Sequence, residues 1–102
     1  MKIEVLYFKD CPNYLPTLDR IRAILAQEDI SDDVLEIEVK DEAAARSVAF
    51  PGSPTIRING EDIEPTMRGS AQIGFACRRY PGGLPSEQLI RAAICEARDQ
   101  QI

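Results

Sequence analysis

Thr55-Ile56-Arg57-Ile58-Asn59-Gly60-Glu61-Asp62-Ile63-Glu64 is the stretch on which the fold turns. Asn-Gly between two short alternating runs is the preferred two-residue hairpin turn, because both central positions need positive φ. A two-residue loop pairs Ile58 with Glu61 and therefore sets Ile56 opposite Ile63, so that the apolar pair shares a face. The expectation is an antiparallel hairpin with one buried side.

Outward from the hairpin, the remaining elements follow from periodicity. Ile3 to Phe8 is almost wholly apolar, with Ile3, Val5 and Tyr7 on one face and Leu6 and Phe8 on the other. That is the pattern of a strand covered on both sides. After the turn-like Lys9-Asp10-Cys11-Pro12-Asn13, apolar residues recur at helical spacing through about Glu28: Leu15, Leu18, Ile21 and Leu25, with Tyr14 and Ile24 beside them. Val34 to Val39 alternates strictly, Leu35, Ile37 and Val39 against Glu36 and Glu38, as a strand near a sheet edge does. Asp41 is a good N-cap for a second helix reaching Ala49, which Phe50-Pro51-Gly52 stops. Ser86 caps a last helix whose buried stripe is Leu89, Ile90, Ala93, Ile94 and Ala97.

The order is β-α-β-α-β-β-α in one domain over 1–102. The fold class is α/β, a central four-stranded mixed sheet flanked by helices, with a parallel first β-α-β and an antiparallel closing hairpin. The connection 65–85 is longer than compact domains usually carry without a function, and it contains Cys77.

Composition limits the chemistry. The 102 residues are 44% hydrophobic, enough for a packed core, and carry a net charge of −5 with no basic stripe, against a nucleic-acid partner. Histidine is absent, which removes Ser-His-Asp and Cys-His catalysis and every His-ligated metal site. No run approaches a membrane span, and Met1-Lys2-Ile3-Glu4-Val5 starts no apolar signal core, so a cytoplasmic location without membrane contact is the default. The three cysteines, at 11, 77 and 95, are a poor disulfide framework and lack the Cys-x-x-Cys pairs of structural zinc. No metal site and no cofactor is called for. Each thiol is either reactive or core filler.

Cys11 follows the carboxyl end of the first strand, where open α/β sheets bind ligands. A thiolate there faces unpaired N–H groups and the positive end of the following helix, although Asp10 opposes Lys9 nearby. The alternative is a small buried hydrophobe. If the helix starts at Cys11, Pro16 bends its first turn; if Asn13 is the cap, Pro16 is harmless.

Strand, then Phe8-Lys9-Asp10-Cys11-Pro12-Asn13-Tyr14, then helix resembles the active-site turn of the thioredoxin and glutaredoxin superfamily. Gly52-Ser53-Pro54-Thr55 entering a hairpin strand resembles that superfamily's cis-proline loop, at a comparable spacing from the cysteine, and the element order is similar through nearly the whole chain. The resemblance implies that Cys11 is the attacking thiolate and that Pro54 is cis. It also implies that the Ser53-Pro54-Thr55 backbone offers an edge to a peptide or glutathione, with Pro12 and Tyr14 completing the substrate-binding surface. The partners implied are protein thiols or disulfides, or glutathione. Tyr14 stands where dithiol members carry the second cysteine, so Cys11 either acts as a monothiol or is resolved by Cys77.

Cys77 is followed by Arg78 and Arg79, two guanidinium groups that favour a thiolate and fit a substrate carboxylate. The opposite reading has Phe75, Cys77 and Tyr80 anchoring the loop while the arginines are solvated. Cys95 falls off the buried stripe, near Arg91 and Arg98, and is expected to be exposed and incidental. Glu36, Glu38, Asp41 and Glu42 read as a wet strand edge and a cap, and Gly82-Gly83 as a flexible hinge. Three functions remain: thiol–disulfide or adduct chemistry through Cys11; capture of a soft ion such as Hg(II) or Cu(I) by Cys11 and Cys77; and a binding module that keeps the peptide edge while Cys11 only packs.

Overall fold

The alternation of strands and helices is realised as an α/β fold with a four-stranded mixed sheet and three α-helices, in a computed structural model that describes residues 1–69 and 72–100. Part of the 65–85 connection, at 70–71, lies outside the described residues, as do 101–102. The elements are β1 (Ile3–Tyr7), α1 (Tyr14–Gln27), β2 (Val34–Glu38), α2 (Glu42–Ser47), β3 (Thr55–Ile58), β4 (Glu61–Asp62) and α3 (Glu87–Asp99), with a 3₁₀ turn at Pro65–Met67.

The strand order is β2-β1-β3-β4. β1 runs parallel to β2 and antiparallel to β3. Ile58 pairs with Glu61 and Arg57 with Asp62, as the Asn-Gly turn requires, and Asn59 and Gly60 both have positive φ. β4 is shorter than expected, but the Ile63 N–H still donates to the Ile56 carbonyl and keeps the predicted register.

Alternation along β1 divides the core in two. Ile3 and Val5 face α1 and α3 and pack with Leu18, Ile21, Ile56, Ile63, Ile90 and Ile94. Leu6 faces the other way and packs with Val39, Ala45 and Phe50 beneath α2. Helices on both faces follow from this two-sided strand.

Asp41 and Ser86 cap as expected, accepting from the N–H groups of Ala44 and Leu89 at 2.7 and 3.0 Å. α1 begins at Tyr14 with Asn13 at the cap position, which resolves the Pro16 alternative. The first intrahelical bond is Thr17 N–H to the Asn13 carbonyl, so Pro16 removes none.

Two apolar assignments fail. Leu15 is 61% exposed and Leu35 is also exposed. Leu15 lies in the first turn of α1, where Thr17 and Leu18 take the buried face instead. Leu35 lies on the edge strand opposite Glu4, and the six-residue α2 is too short to cover it. Among the described residues, no helix is long and apolar enough to cross a membrane.

Candidate functional site

The site grows from the end of β1. The Cys11 N–H donates to the Phe8 carbonyl at 3.2 Å and the Tyr14 N–H to the Cys11 carbonyl at 3.3 Å, so residues 8–14 form two successive turns that deliver the chain into α1. Asp10 takes a positive φ of 69° to make the first of them. Cys11 is 8% exposed and sits two residues before the helix cap, a step further from the helix end than a first-turn residue. Pro12 beside it is exposed. Tyr14 is half-buried, its ring stacked on Tyr7 at 3.7 Å between centroids and 5° between planes. Tyr14 thus fixes the start of α1 against the end of β1.

The Ser53–Pro54 bond is cis. Leu6 pairs with Thr55, and two residues further along each chain the Phe8 N–H donates to Ser53 Oγ at 3.3 Å. The antiparallel neighbourhood of β1 and β3 is thereby carried past the strand ends, and Ser53 is tied to the residue on which the Cys11 turn is built.

On its other side Ser53 meets the long connection. Its N–H donates to the Ala76 carbonyl at 2.9 Å and its carbonyl accepts from the Arg78 N–H at 2.8 Å, which makes Cys77 its parallel bridge partner. The Gly74 N–H donates to the Phe50 carbonyl at 2.9 Å, and the Phe75 ring meets Phe8 edge-on at 5.4 Å. The structure therefore places Cys11, Ser53, Pro54 and Cys77 at one end of the sheet, with all three cysteines as free thiols. Cys77 is exposed.

Two expectations are corrected. The first concerns Arg78, assigned to a substrate carboxylate. Its side chain is 5% exposed. The guanidinium is committed internally, to Asp62 through both nitrogens at 2.7 and 2.9 Å, to Glu64 at 2.5 Å and to Thr55 Oγ1 at 3.2 Å, and it lies over the Tyr80 ring at 4.6 Å. Burial works to lower its pKa, but the hydrogen bond to Asp62, the charge interaction with Tyr80, the hydrogen bond to Glu64 and the charge of Asp62 together outweigh this and raise it, so it stays charged. Arg79 is exposed and is the arginine of the pair that faces solvent.

The second correction concerns the backbone edge. Ser53 is paired to 76–78, the Pro54 carbonyl accepts from Tyr80 Oη at 2.8 Å, and Thr55 Oγ1 donates to the Gly52 carbonyl at 2.6 Å. The edge expected to be open is occupied by the protein's own connection. Gly52, φ +138°, is what admits it: a Cβ there would lie 2.9 Å from Arg78 Cβ and 3.2 Å from the Ala76 carbonyl oxygen.

Tyr80, Asp62, Glu64 and Gly52 belong to this arrangement and were not singled out as site residues. Asp62 and Glu64 read as hairpin carboxylates, and no local pattern links them to an arginine sixteen or fourteen residues away. Gly82 and Gly83, expected as a hinge, form a tight turn in which the Gly83 N–H donates to the Tyr80 carbonyl at 2.8 Å. Cys95 is half-buried rather than exposed, its thiol 3.8 Å from Glu28 Oε1 and 3.6 Å from Arg98 Nη2.

Among the described residues, no three or more Cys, Asp or Glu side chains come together as a metal-binding group. No protein-family model matches the chain, and neither the curated proteins nor the solved structures contain a significant match.

Proposed function

We propose that this chain is a thioredoxin-like thiol protein that exchanges disulfides through Cys11, with Cys77 as the resolving thiol. The observation that carries the reading is the position of Ser53, bonded on one side to the base of the Cys11 turn and bridged on the other to Cys77. Ser53 thus stands between Phe8, on which the Cys11 turn is built, and Cys77, and links the two segments that carry the thiols. The mixed sheet with a parallel β-α-β and an antiparallel hairpin, and the cis Ser53–Pro54 bond, agree with the sequence resemblance.

The chemistry needs no group beyond the thiols and a disulfide substrate. Cys11 thiolate attacks one sulfur of the substrate disulfide, the S–S bond breaks, and one substrate thiolate leaves. Cys77, having given its proton to solvent, attacks Cys11 Sγ and expels the second substrate thiolate. The substrate has gained two electrons and the protein holds a Cys11–Cys77 disulfide, which an external dithiol returns to the reduced state. A bridge requires Cα atoms within about 7 Å.

The test is oxidation of the reduced protein by glutathione disulfide, followed by peptide mapping without reductant. The expected product is a monomer with Cys11 joined to Cys77, and a stable Cys11–glutathione adduct in Cys77→Ser. A monomer in which Cys11 remains unmodified while Cys77 takes up glutathione would overturn the assignment.

A further inference from the structure

We infer that the Gly74–Arg78 segment is a resident edge strand that closes the Ser53 backbone to polypeptides and restricts Cys11 to low-molecular-weight thiols and disulfides. The inference rests on the thiol reading above and adds the class of substrate. A peptide that docks by β-pairing needs free N–H and C=O groups along one edge. At Ser53 both are already spent within the chain, on Ala76 and Arg78. Phe50 is likewise paired to Gly74, and the Pro54 carbonyl is held by Tyr80. A polypeptide would have to remove this strand before it could pair, losing those hydrogen bonds for equivalent ones.

The segment is fastened at both ends. Phe75 lies edge-on to Phe8 at its start. At its end Arg78 is anchored to Asp62 and Glu64, and Tyr80 is buried beneath it. Gly52 provides the close approach: its missing Cβ is the space that Arg78 and the Ala76 carbonyl occupy. A small disulfide needs only a line of attack on Cys11 and no backbone edge, so it escapes this exclusion.

The experiment uses the full chain with Cys77→Ser and Cys95→Ser, which leaves Cys11 as the one thiol. Two probes share a leaving group: the nitrothiobenzoate mixed disulfides of mercaptoethanol and of a short unstructured cysteine peptide. Cys11 attack breaks the probe's S–S bond, forms a mixed disulfide on Cys11 and releases coloured nitrothiobenzoate, which gives the rate. The small probe is expected to react at least about tenfold faster than the peptide, a difference of about 1.4 kcal/mol in barrier.

Adding Gly52→Ala, which crowds the strand off the edge, should raise the peptide rate about tenfold while the small-probe rate changes by less than about threefold, near 0.7 kcal/mol. Tyr80→Phe, which removes one fastening, should move the peptide rate in the same direction by a smaller factor. Hydrogen exchange on the unaltered protein provides the control that does not depend on folding of a variant: the amides of Ser53 and Arg78 should be protected.

Equal rates for the two probes in the parent protein, or free exchange of both amides, would overturn the edge-strand inference and leave the thiol reading standing. No reaction of Cys11 with either probe while both amides are protected would overturn the thiol reading itself.

Discussion

Removing the guanidinium of Arg78 should be among the most damaging single changes in this protein. Arg78→Met keeps the buried stem and deletes the charge, leaving Asp62 with a side chain 7% exposed and without its cation. Breaking a buried pair from one side costs about 3–5 kcal/mol, because the orphaned charge is not rehydrated. The Glu64 N–H still donates to Asp62 Oδ1 at 2.9 Å, which places the loss toward the lower end, about 3 kcal/mol. A domain of this size is stable by about 5–15 kcal/mol, so the variant folds but with much of its margin gone. Urea unfolding followed by far-ultraviolet circular dichroism should show a midpoint lowered by about 1–3 M at an unchanged slope of about 1–3 kcal/mol per M. Arg78→Met with Asp62→Leu removes the buried pair, leaves only the part-exposed Glu64 carboxylate, which water can reach, and should recover most of the loss, since an apolar pair of similar volume replaces a buried ion pair at little or no cost. A single variant that loses less than about 1 kcal/mol, the worth of an exposed pair, would refute the buried clamp. So would a double variant less stable than the single one.

Thr17 is fully buried with its hydroxyl unpartnered among the described residues, so Thr17→Val should raise stability by about 1 kcal/mol; a loss would reveal a partner for the hydroxyl. Ser86→Ala deletes the cap of α3 and should cost about 1 kcal/mol, whereas Ser86→Gly should cost a few tenths, both read by thermal melting. Burial raises the Tyr80 phenol above its ordinary range, with Arg78 pulling it down by a smaller amount. The unfolded chain then releases the Tyr80 proton near pH 10 while the folded chain keeps it, so this contribution is complete below about pH 9 and falls by up to about 1.4 kcal/mol per pH unit above about pH 10. Tyr80→Phe should flatten that slope in urea midpoints measured on either side of pH 10; an unchanged slope would place the effect on another group.

The hairpin, the caps and the two-sided first strand were legible in the sequence because each is set by residues a few positions apart. Asn59-Gly60 selects the turn by its backbone geometry, Asp41 and Ser86 satisfy N–H groups three residues on, and Ile3-Glu4-Val5-Leu6 has only one way to alternate. The helical stripe of α1 was legible in its middle and misleading at its first turn. Periodicity assigns Leu15 to a face without knowing where the neighbouring layer ends. The same limit explains Leu35, whose alternation is right and whose cover is missing.

For the site, the sequence by itself determined which chemistry-bearing residues the chain owns and where the first of them stands: three thiols, no histidine, and Cys11 in the turn between β1 and α1. That Ser53-Pro54-Thr55 partners this turn was implied only by a resemblance, and its tie to Phe8 is seen in three dimensions. Tertiary structure alone decided what the connection after β4 does with those residues. It lays Ala76-Cys77-Arg78 along Ser53, buries Arg78 against Asp62 and Glu64, and sets Tyr80 under Pro54. The physical reason is range. Turn geometry, capping and alternation are written in neighbouring residues. A buried ion pair forms where desolvation and charge balance in three dimensions, between groups that nothing local ties together.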